Sequence, residues 1–454
     1  MKKTVLLFMI LFSMLAFAKD EGFGGDTGIG IGVVDVNGES KAALRLNFNP
    51  EFKISKFGIG AKLGLYMGDG IPVDINGDGK EDYKDIDFGL RYMEWDGDIV
   101  KARYGTLDDF TLGHGTLVYN YSNNEKISLR LGLHDPKKRV GTDVFFPLEK
   151  DIFGATVEKE DQPKAMGARV YVRPLKIAGL ETPIIKNLEF GATYAADVRD
   201  KFNRTVNKEG KLATTTVGTE TVTNEYNGKL TGITYEVALP LIEDVIVPYY
   251  DRVTVKGERD KDAVLDVTTG KASKTVYGDH FGVIGKVSVV NYKFEYRNID
   301  KGLTPGYFGK FYEVKSTQNL EKIFSNDADK KIGGYFGELS ANFAGLTKVT
   351  ASYEDYDEEG LNPHIFGQMD VTPSEKFQAH LSYDQIDFGS DRHSDDFLND
   401  DTVIKARLVG PASMFGIPGP FVVNADIKQT YYFNDEKDKY IPSRTYTMGM
   451  SFIW

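Results

Sequence analysis

Strict alternation of apolar and polar residues recurs along this chain. In FVVNADIKQTYYF, Phe421, Val423, Ala425, Ile427, Tyr431 and Phe433 share one side of an extended backbone, interrupted only by Gln429, and Asn424, Asp426, Lys428 and Thr430 share the other. ISLRLGL sets Ile127, Leu129, Leu131 and Leu133 against Ser128 and Arg130. YKFEYR sets Tyr292, Phe294 and Tyr296 against Lys293, Glu295 and Arg297, and IKARL sets Ile404, Ala406 and Leu408 against Lys405 and Arg407. Successive side chains of a strand point to opposite faces of its sheet, so a period of two with one greasy side predicts strands. Almost no helical periodicity accompanies it.

The connections decide between a soluble sandwich and a membrane barrel. Some are short: AGL at 344–346, TPSE at 372–375, NNEK at 123–126. Three more are apolar and bounded by proline: RPLKIAGLETPIIKN, LPLIEDVIVP and GPASMFGIPGP. Long polar stretches lie between them, at 67–85, 198–229, 256–279, 299–332, 389–401 and 434–443. Short and long connections largely take turns, as they do when a barrel has tight turns at one rim and extended loops at the other. The expected fold is all-β, a transmembrane antiparallel up-and-down β-barrel of about 20 strands, with roughly 18–22 allowed. Hydrocarbon offers no partner to an unpaired strand edge, so a first strand near 28–36 must pair with the last near 443–454. A ring of that size is too wide for its own side chains to fill. The threonine-rich TTTVGTETVT (214–223) is expected in a long outer loop, disordered by composition.

The chain ends in SRTYTMGMSFIW, where Tyr446, Met448, Met450, Phe452 and Trp454 alternate with Thr445, Thr447, Gly449 and Ser451, and only Ile453 breaks the pattern. This resembles the C-terminal assembly signal of bacterial outer-membrane β-barrels. With the strand grammar, it makes the chain similar to porin-like outer-membrane barrels of diderm bacteria, with no subfamily motif. The resemblance implies assembly by the barrel-assembly machinery, contact with outer-membrane lipid, passage of small hydrophilic solutes or ions, and a homotrimer as one form of assembly. At the other end, MKKTVLLFMILFSMLAFA has two lysines, a short apolar run and small residues at its close. It reads as a signal peptide over residues 1–18, leaving residues 19–454 as a single barrel domain.

Composition narrows the function. The formal charge of −12 becomes −14 once Lys2 and Lys3 leave, which argues against a nucleic-acid partner. With no cysteine there is neither a disulfide framework nor a thiolate metal site. If the apolar face looks outward, the inner face collects Arg45, Lys62, Arg91, Lys101, Arg103, Arg130, Arg169, Arg173, Lys286, Lys293, Arg297, Lys405, Arg407 and Lys428. Its carboxylates include Asp87, Glu189, Glu236, Glu295, Glu338, Glu354, Asp384 and Asp426. Rings of charge tune ion preference, so the expectation is a mixed-charge diffusion pore with a weak anion preference and an acidic mouth. Wall charges that merely satisfy one another are the competing reading. A surface-exposed structural or adhesive barrel with an occluded lumen is the alternative function.

Two segments carry further chemistry. DINGDGKEDYKD places Asp74, Asn76, Asp78, Lys80, Asp82 and Asp85 at the ligand positions of a twelve-residue calcium loop, with Gly79 at the turn. Lys80 would offer its carbonyl, and Asp85 replaces the usual bidentate glutamate. A structural Ca2+ stiffening an exposed loop is expected; an acidic solvated turn is the alternative. LGHGTLVYNYSNN holds His114 eight residues before Ser122, downstream of Asp108 and Asp109, without the glycines of a nucleophile elbow. Gly113 and Gly115 there suit a chain bending inside the lumen or at its mouth, and a packed, constricting loop is expected, not an enzyme.

Overall fold

A computed structural model describes residues 23–36, 39–68, 84–107, 109–123, 126–150, 156–157, 162–180, 182–199, 201–203, 214–217, 220–223, 225–242, 245–260, 271–309, 312–358, 363–374, 377–385, 402–411, 421–434 and 439–453. Its main sheet has 21 segments. Glu189–Asp197 and Lys201–Asn203 both pair with the same neighbour and are pieces of one strand, leaving 20 in the ring. In chain order these are β1 (Phe23–Val36), β2 (Glu39–Ile54), β3 (Phe57–Gly68), β4 (Lys84–Asp96), β5 (Val100–Gly105), β6 (Ser128–His134) and β7 (Val140–Pro147). There follow β8 (Ala165–Val172), β9 (Glu189–Asp197), β10 (Glu225–Ala238), β11 (Val247–Asp260), β12 (Lys271–Val287), β13 (Val290–Asp300) and β14 (Lys331–Phe343). The last six are β15 (Thr347–Tyr356), β16 (His364–Ser374), β17 (Phe377–Gln385), β18 (Thr402–Pro411), β19 (Phe421–Asn434) and β20 (Lys439–Ile453).

Each strand pairs antiparallel with the next, and β1 pairs with β20, Asp26 opposite Ile453 through Val33 opposite Tyr446. The ladder therefore closes on itself, and an even strand number lets it close antiparallel. Most connections after even-numbered strands are short, such as Ser288–Val289 and residues 344–346, the exception being 173–188 between β8 and β9, which holds a short helix, Pro174–Ile177; several of those after odd-numbered strands are long. NNEK does not belong with the turns: Asn123 lies at the base of the connection from β5 to β6, on the long-loop rim. Within the threonine-rich stretch, Thr214–Val217 pairs antiparallel with Glu220–Thr223. Its β-branched residues favour extended pairing more than their polarity favours disorder.

The barrel is inside out relative to a soluble one. On β10, Ile233, Tyr235 and Val237 face outward and are exposed, while Thr234 and Glu236 between them are buried. The same holds on β13, where Phe294 and Tyr296 are exposed and Lys293, Glu295 and Arg297 are buried. On β11 to β13 this outer apolar face stops on the long-loop side of Tyr250, Phe281 and Tyr296. The next outward positions are Arg252, Asp279 and Asn298, with Arg252 paired to Asp279 at 2.8 Å. An exposed apolar band edged by tyrosines on a closed ladder is the exterior of a membrane-spanning barrel. No described helix is long and apolar enough to cross a membrane.

Candidate functional site

Two of the long connections turn into the lumen. The segment between β5 and β6 forms a small ladder, Phe110 opposite Tyr121 and Leu112 opposite Val118. The connection between β13 and β14 adds Phe308–Gly309 parallel to Val118–Tyr119, then a helix, Tyr312–Ile323. Leu117, Val118, Tyr121, Phe308, Tyr312, Leu320 and Ile323 form a dry core with wall residues such as Phe145, Val253, Val255 and Val276. The packed inward loop at 109–123 agrees with the sequence expectation. The stretch 299–332 departs from it: expected as an outer loop, it is half of the plug. Its aromatic run Tyr307, Phe308 and Tyr312, followed by Leu320 and Ile323 on one helix face, is the signal that alternation alone passes over.

Buried polar groups fix the inward segment at its base and its tip. Asn123 closes the base: its side-chain amide donates to Gly105 O (3.2 Å), Lys126 O (2.7 Å) and Ser128 Oγ (3.0 Å), and its oxygen accepts from Leu107 N (3.0 Å). At the tip, Gly113 and Gly115 adopt φ of +60° and +80°, where a Cβ is costly. That bend aims His114 at the wall. Its Nδ1 lies 2.9 and 3.1 Å from the two oxygens of Asp251; an ionised carboxylate can only accept, so the ring nitrogen donates. Thr116 Oγ1 donates to Asp251 at 3.0 Å, Lys293 Nζ donates to His114 O at 2.7 Å, and the imidazole stacks on Tyr249 with centroids 4.1 Å apart.

The helix is seated by a second cluster. Tyr312 Oη donates to Asp197 (2.7 Å), Arg199 reaches Ser316 Oγ (2.8 Å), and Glu313 accepts from Tyr121 Oη (2.8 Å) and from Lys164 N (2.9 and 3.1 Å). Burial holds the Glu313 carboxyl above its ordinary range and pushes the Lys164 amine down to about 8. Desolvation penalises whichever form is charged, which moves an acid up and a base down.

The residues expected to line the pore fall into distinct settings. Arg169 bridges Glu189 (2.8 Å) and Glu236 (2.7 Å), and Arg173 holds Glu189 at 3.0 Å. Glu295 sits between Lys293 (3.0 Å) and Arg297 (2.6 Å), and Arg297 also reaches Glu354 at 3.1 Å. On this plugged wall the charges are buried or half-buried and satisfy one another. Arg103 pairs with Glu94 (2.7 Å), Lys101 with Asp96 (2.9 Å), and Arg130 lies 3.6 Å from Asp143 and over the Phe110 ring. Arg91 stands 5.3 Å from the Tyr92 ring, where β4 slips register against β3. On β16 to β18 the inner face is wetter: Lys405 and Arg407 are exposed, His380 bonds Asp370 (2.6 Å), and His364 bonds Asp384 (2.7 Å). Lys286, by contrast, sits exposed at the short-turn end of β12.

The side chains of Arg45, Lys62, Asp87, Asp426 and Lys428 lie outside the described residues; their backbone belongs to β2, β3, β4 and β19. The same holds for Tyr446, Met448, Met450 and Phe452 on β20, and Trp454 lies outside altogether. Of the calcium-loop positions, Asp74, Asn76, Asp78, Lys80 and Asp82 are outside the description, and Asp85 is placed only by its backbone, opposite Tyr66 in β4. The signal segment 1–18 is also outside it.

No protein-family model matches the chain, and no curated protein matches it. Among solved structures it is similar to OccAB1 of Acinetobacter baumannii, at 11% identity over 96% of this chain and 98% of that one, with a TM-score of 0.34. OccAB3 of the same organism is 9% identical over 95% and 98%, with a TM-score of 0.35. OccK2 of Pseudomonas aeruginosa, solved in complex with glucuronate, is 8% identical over 95% of each chain, with a TM-score of 0.34. Likeness at this level carries no argument; the barrel stands on its own closed ladder.

Proposed function

We propose that this chain is an outer-membrane pore through which small hydrophilic solutes or ions diffuse passively. One observation carries the reading: the plug packs against β7 to β15, while Lys405 and Arg407 on the inner face of β18 stay exposed. The apolar exterior and the export and terminal signals support the outer membrane as its place. A weak anion preference is the finer part of this reading, supported by the exposure of Lys405 and Arg407 on the inner face of β18. Stepwise conductance in planar bilayers, with a reversal potential shifted modestly toward the anion, is the expected result. A strongly cationic reversal potential would overturn the preference.

The second reading, a structural or adhesive barrel with an occluded lumen, is favoured by the dry core of the plug. It predicts no conductance steps from correctly inserted barrels. A structural Ca2+ at Asp74, Asn76, Asp78, Lys80, Asp82 and Asp85 belongs to the same proposal, as do delivery by the barrel-assembly machinery and a homotrimer. Calorimetric titration of the folded barrel with calcium would release heat with one ion bound; absence of heat removes the site.

A further inference from the structure

The outer face of β12 to β16 is dented, and the dent has a shape. Gly337 sits between Phe294 and Tyr353 on the neighbouring strands, with Tyr335 and Leu339 two residues to either side on its own. Diagonally beyond it, Ala351 lies opposite Gly367, whose Cβ position meets nothing within 4 Å. Small residues ringed by aromatic and aliphatic ones leave an open groove of about 900 Å³ in the outer wall. That volume lies within the roughly 300–1,000 Å³ of small-molecule pockets. A ring of uniformly bulky outward side chains would present no such hollow.

The groove has a polar end and an apolar one. Tyr335, together with Tyr296 whose ring stands 5.3 Å from its own, lies toward the long-loop rim, and Tyr353 Oη donates to Asp355 at 3.1 Å in the same direction. Toward the short-turn rim the lining is Leu339 and Ala351. Amphipathic rings at one end and hydrocarbon below them match the order of a lipid, ester region above and acyl chain beneath. The groove is continuous with the lipid-facing band, so a lipid reaches it without leaving the bilayer.

We propose that this groove is a lipid-binding site, seating one acyl chain against Gly337 and Ala351 with the ester and headgroup at the tyrosines. It lies on the opposite face of the wall from the lumen and is independent of whether the barrel conducts. The test compares the full barrel with Ala351→Phe and, separately, Gly367→Leu, both of which fill outward space. Each protein is reconstituted in phosphatidylethanolamine–phosphatidylglycerol vesicles, extracted into detergent and examined by native mass spectrometry, with retained strand content by circular dichroism as the folding check.

The wild type should keep one phospholipid through detergent conditions that strip the variants, and either variant suffices if the other does not fold. Equal lipid retention in the wild type and a folded variant overturns the proposal. So does a wild-type oligomer that falls to monomer on filling the groove, because the occupant is then a second copy of the chain. Failure of both variants to fold would overturn it as well, since the dent would then be needed for closure of the wall.

Discussion

The two parts of the lumen wall are built from the same alternating strands and differ in what meets their inner faces. From β9 to β13 the inward charges are covered by the plug and arranged in closed sets, such as Lys293, Glu295 and Arg297, each nearly inaccessible. From β16 to β18 the inward charges meet water, and the histidines that hold Asp370 and Asp384 are themselves partly exposed. A lysine on the first wall is a structural member, because removing its partner strands a charge away from water. A lysine on the second is a tuning element, because water replaces whatever is lost. Inner-face position alone therefore does not define a pore-lining residue. The covering loop decides.

The largest test of this contrast is Glu295→Gln. It keeps the volume, takes the carboxylate from Lys293 and leaves Arg297 with Glu354 alone beneath the plug, a situation in which breaking a buried pair costs about 3–5 kcal/mol. The midpoint of urea unfolding of the barrel should fall accordingly. A midpoint within error of the wild type would mean that water reaches Glu295 and that the two walls are alike.

On the exposed wall the expected pattern is reversed. Arg407→Glu should change stability by no more than about 0.5 kcal/mol, as for surface positions outside a buried network. On the proposed pore reading it should nonetheless move the reversal potential clearly toward cations, since the charge it inverts is exposed on the inner face of β18. Lys405→Glu should act in the same direction. A loss of stability comparable to that of Glu295→Gln, with no change in selectivity, would break the contrast from the other side.

Intermediate between them is Asp251→Asn, which weakens the acceptor for both His114 and Thr116 without touching the ion pairs of the wall. Hydrogen bonds to charged groups contribute about 1.5–3 kcal/mol each. The tip of the inward segment should detach more often while the barrel stays folded. More frequent large-conductance openings in single-channel records would show it; unchanged records would mean that the Asn123 base alone holds the segment.

The ring and its closure were legible because lipid outside and polar groups inside impose a period of two on every strand, as in Phe294–Tyr296 against Lys293–Arg297. The inward bend at Gly113 and Gly115 was legible from two glycines flanking a histidine. The partner of that histidine was not: Asp251 lies 137 residues away, and no local pattern links the two. The helix Tyr312–Ile323 was missed for a related reason. Polar residues dominate its stretch, and the few apolar ones that seat it, Leu320 and Ile323, show their purpose only against β11 and β12. Alternation reports which face a strand residue takes, and it is silent about a loop that buries itself in the lumen.

The smallest expected effect is a pH dependence of the helix seat, and its sign follows from Glu313. Burial raises this carboxyl in the closed plug, whereas in an opened plug it would meet water and return to the ordinary value near 4.3. The closed form thus binds the proton more tightly. Its stabilisation by protonation is complete below the ordinary value and is lost as pH rises through the raised one. The groups facing Glu313 do not reverse this. Lys164, held down to about 8, stays protonated across the window, Arg199 stays charged, and Tyr121 is raised further by burial. Acidification from neutral pH toward about 4.3 should therefore make plug openings rarer, a modest trend in open probability. Glu313→Gln, a fixed mimic of the protonated acid, should flatten that trend. A slope that persists in the variant would mean that Glu313 is not its source.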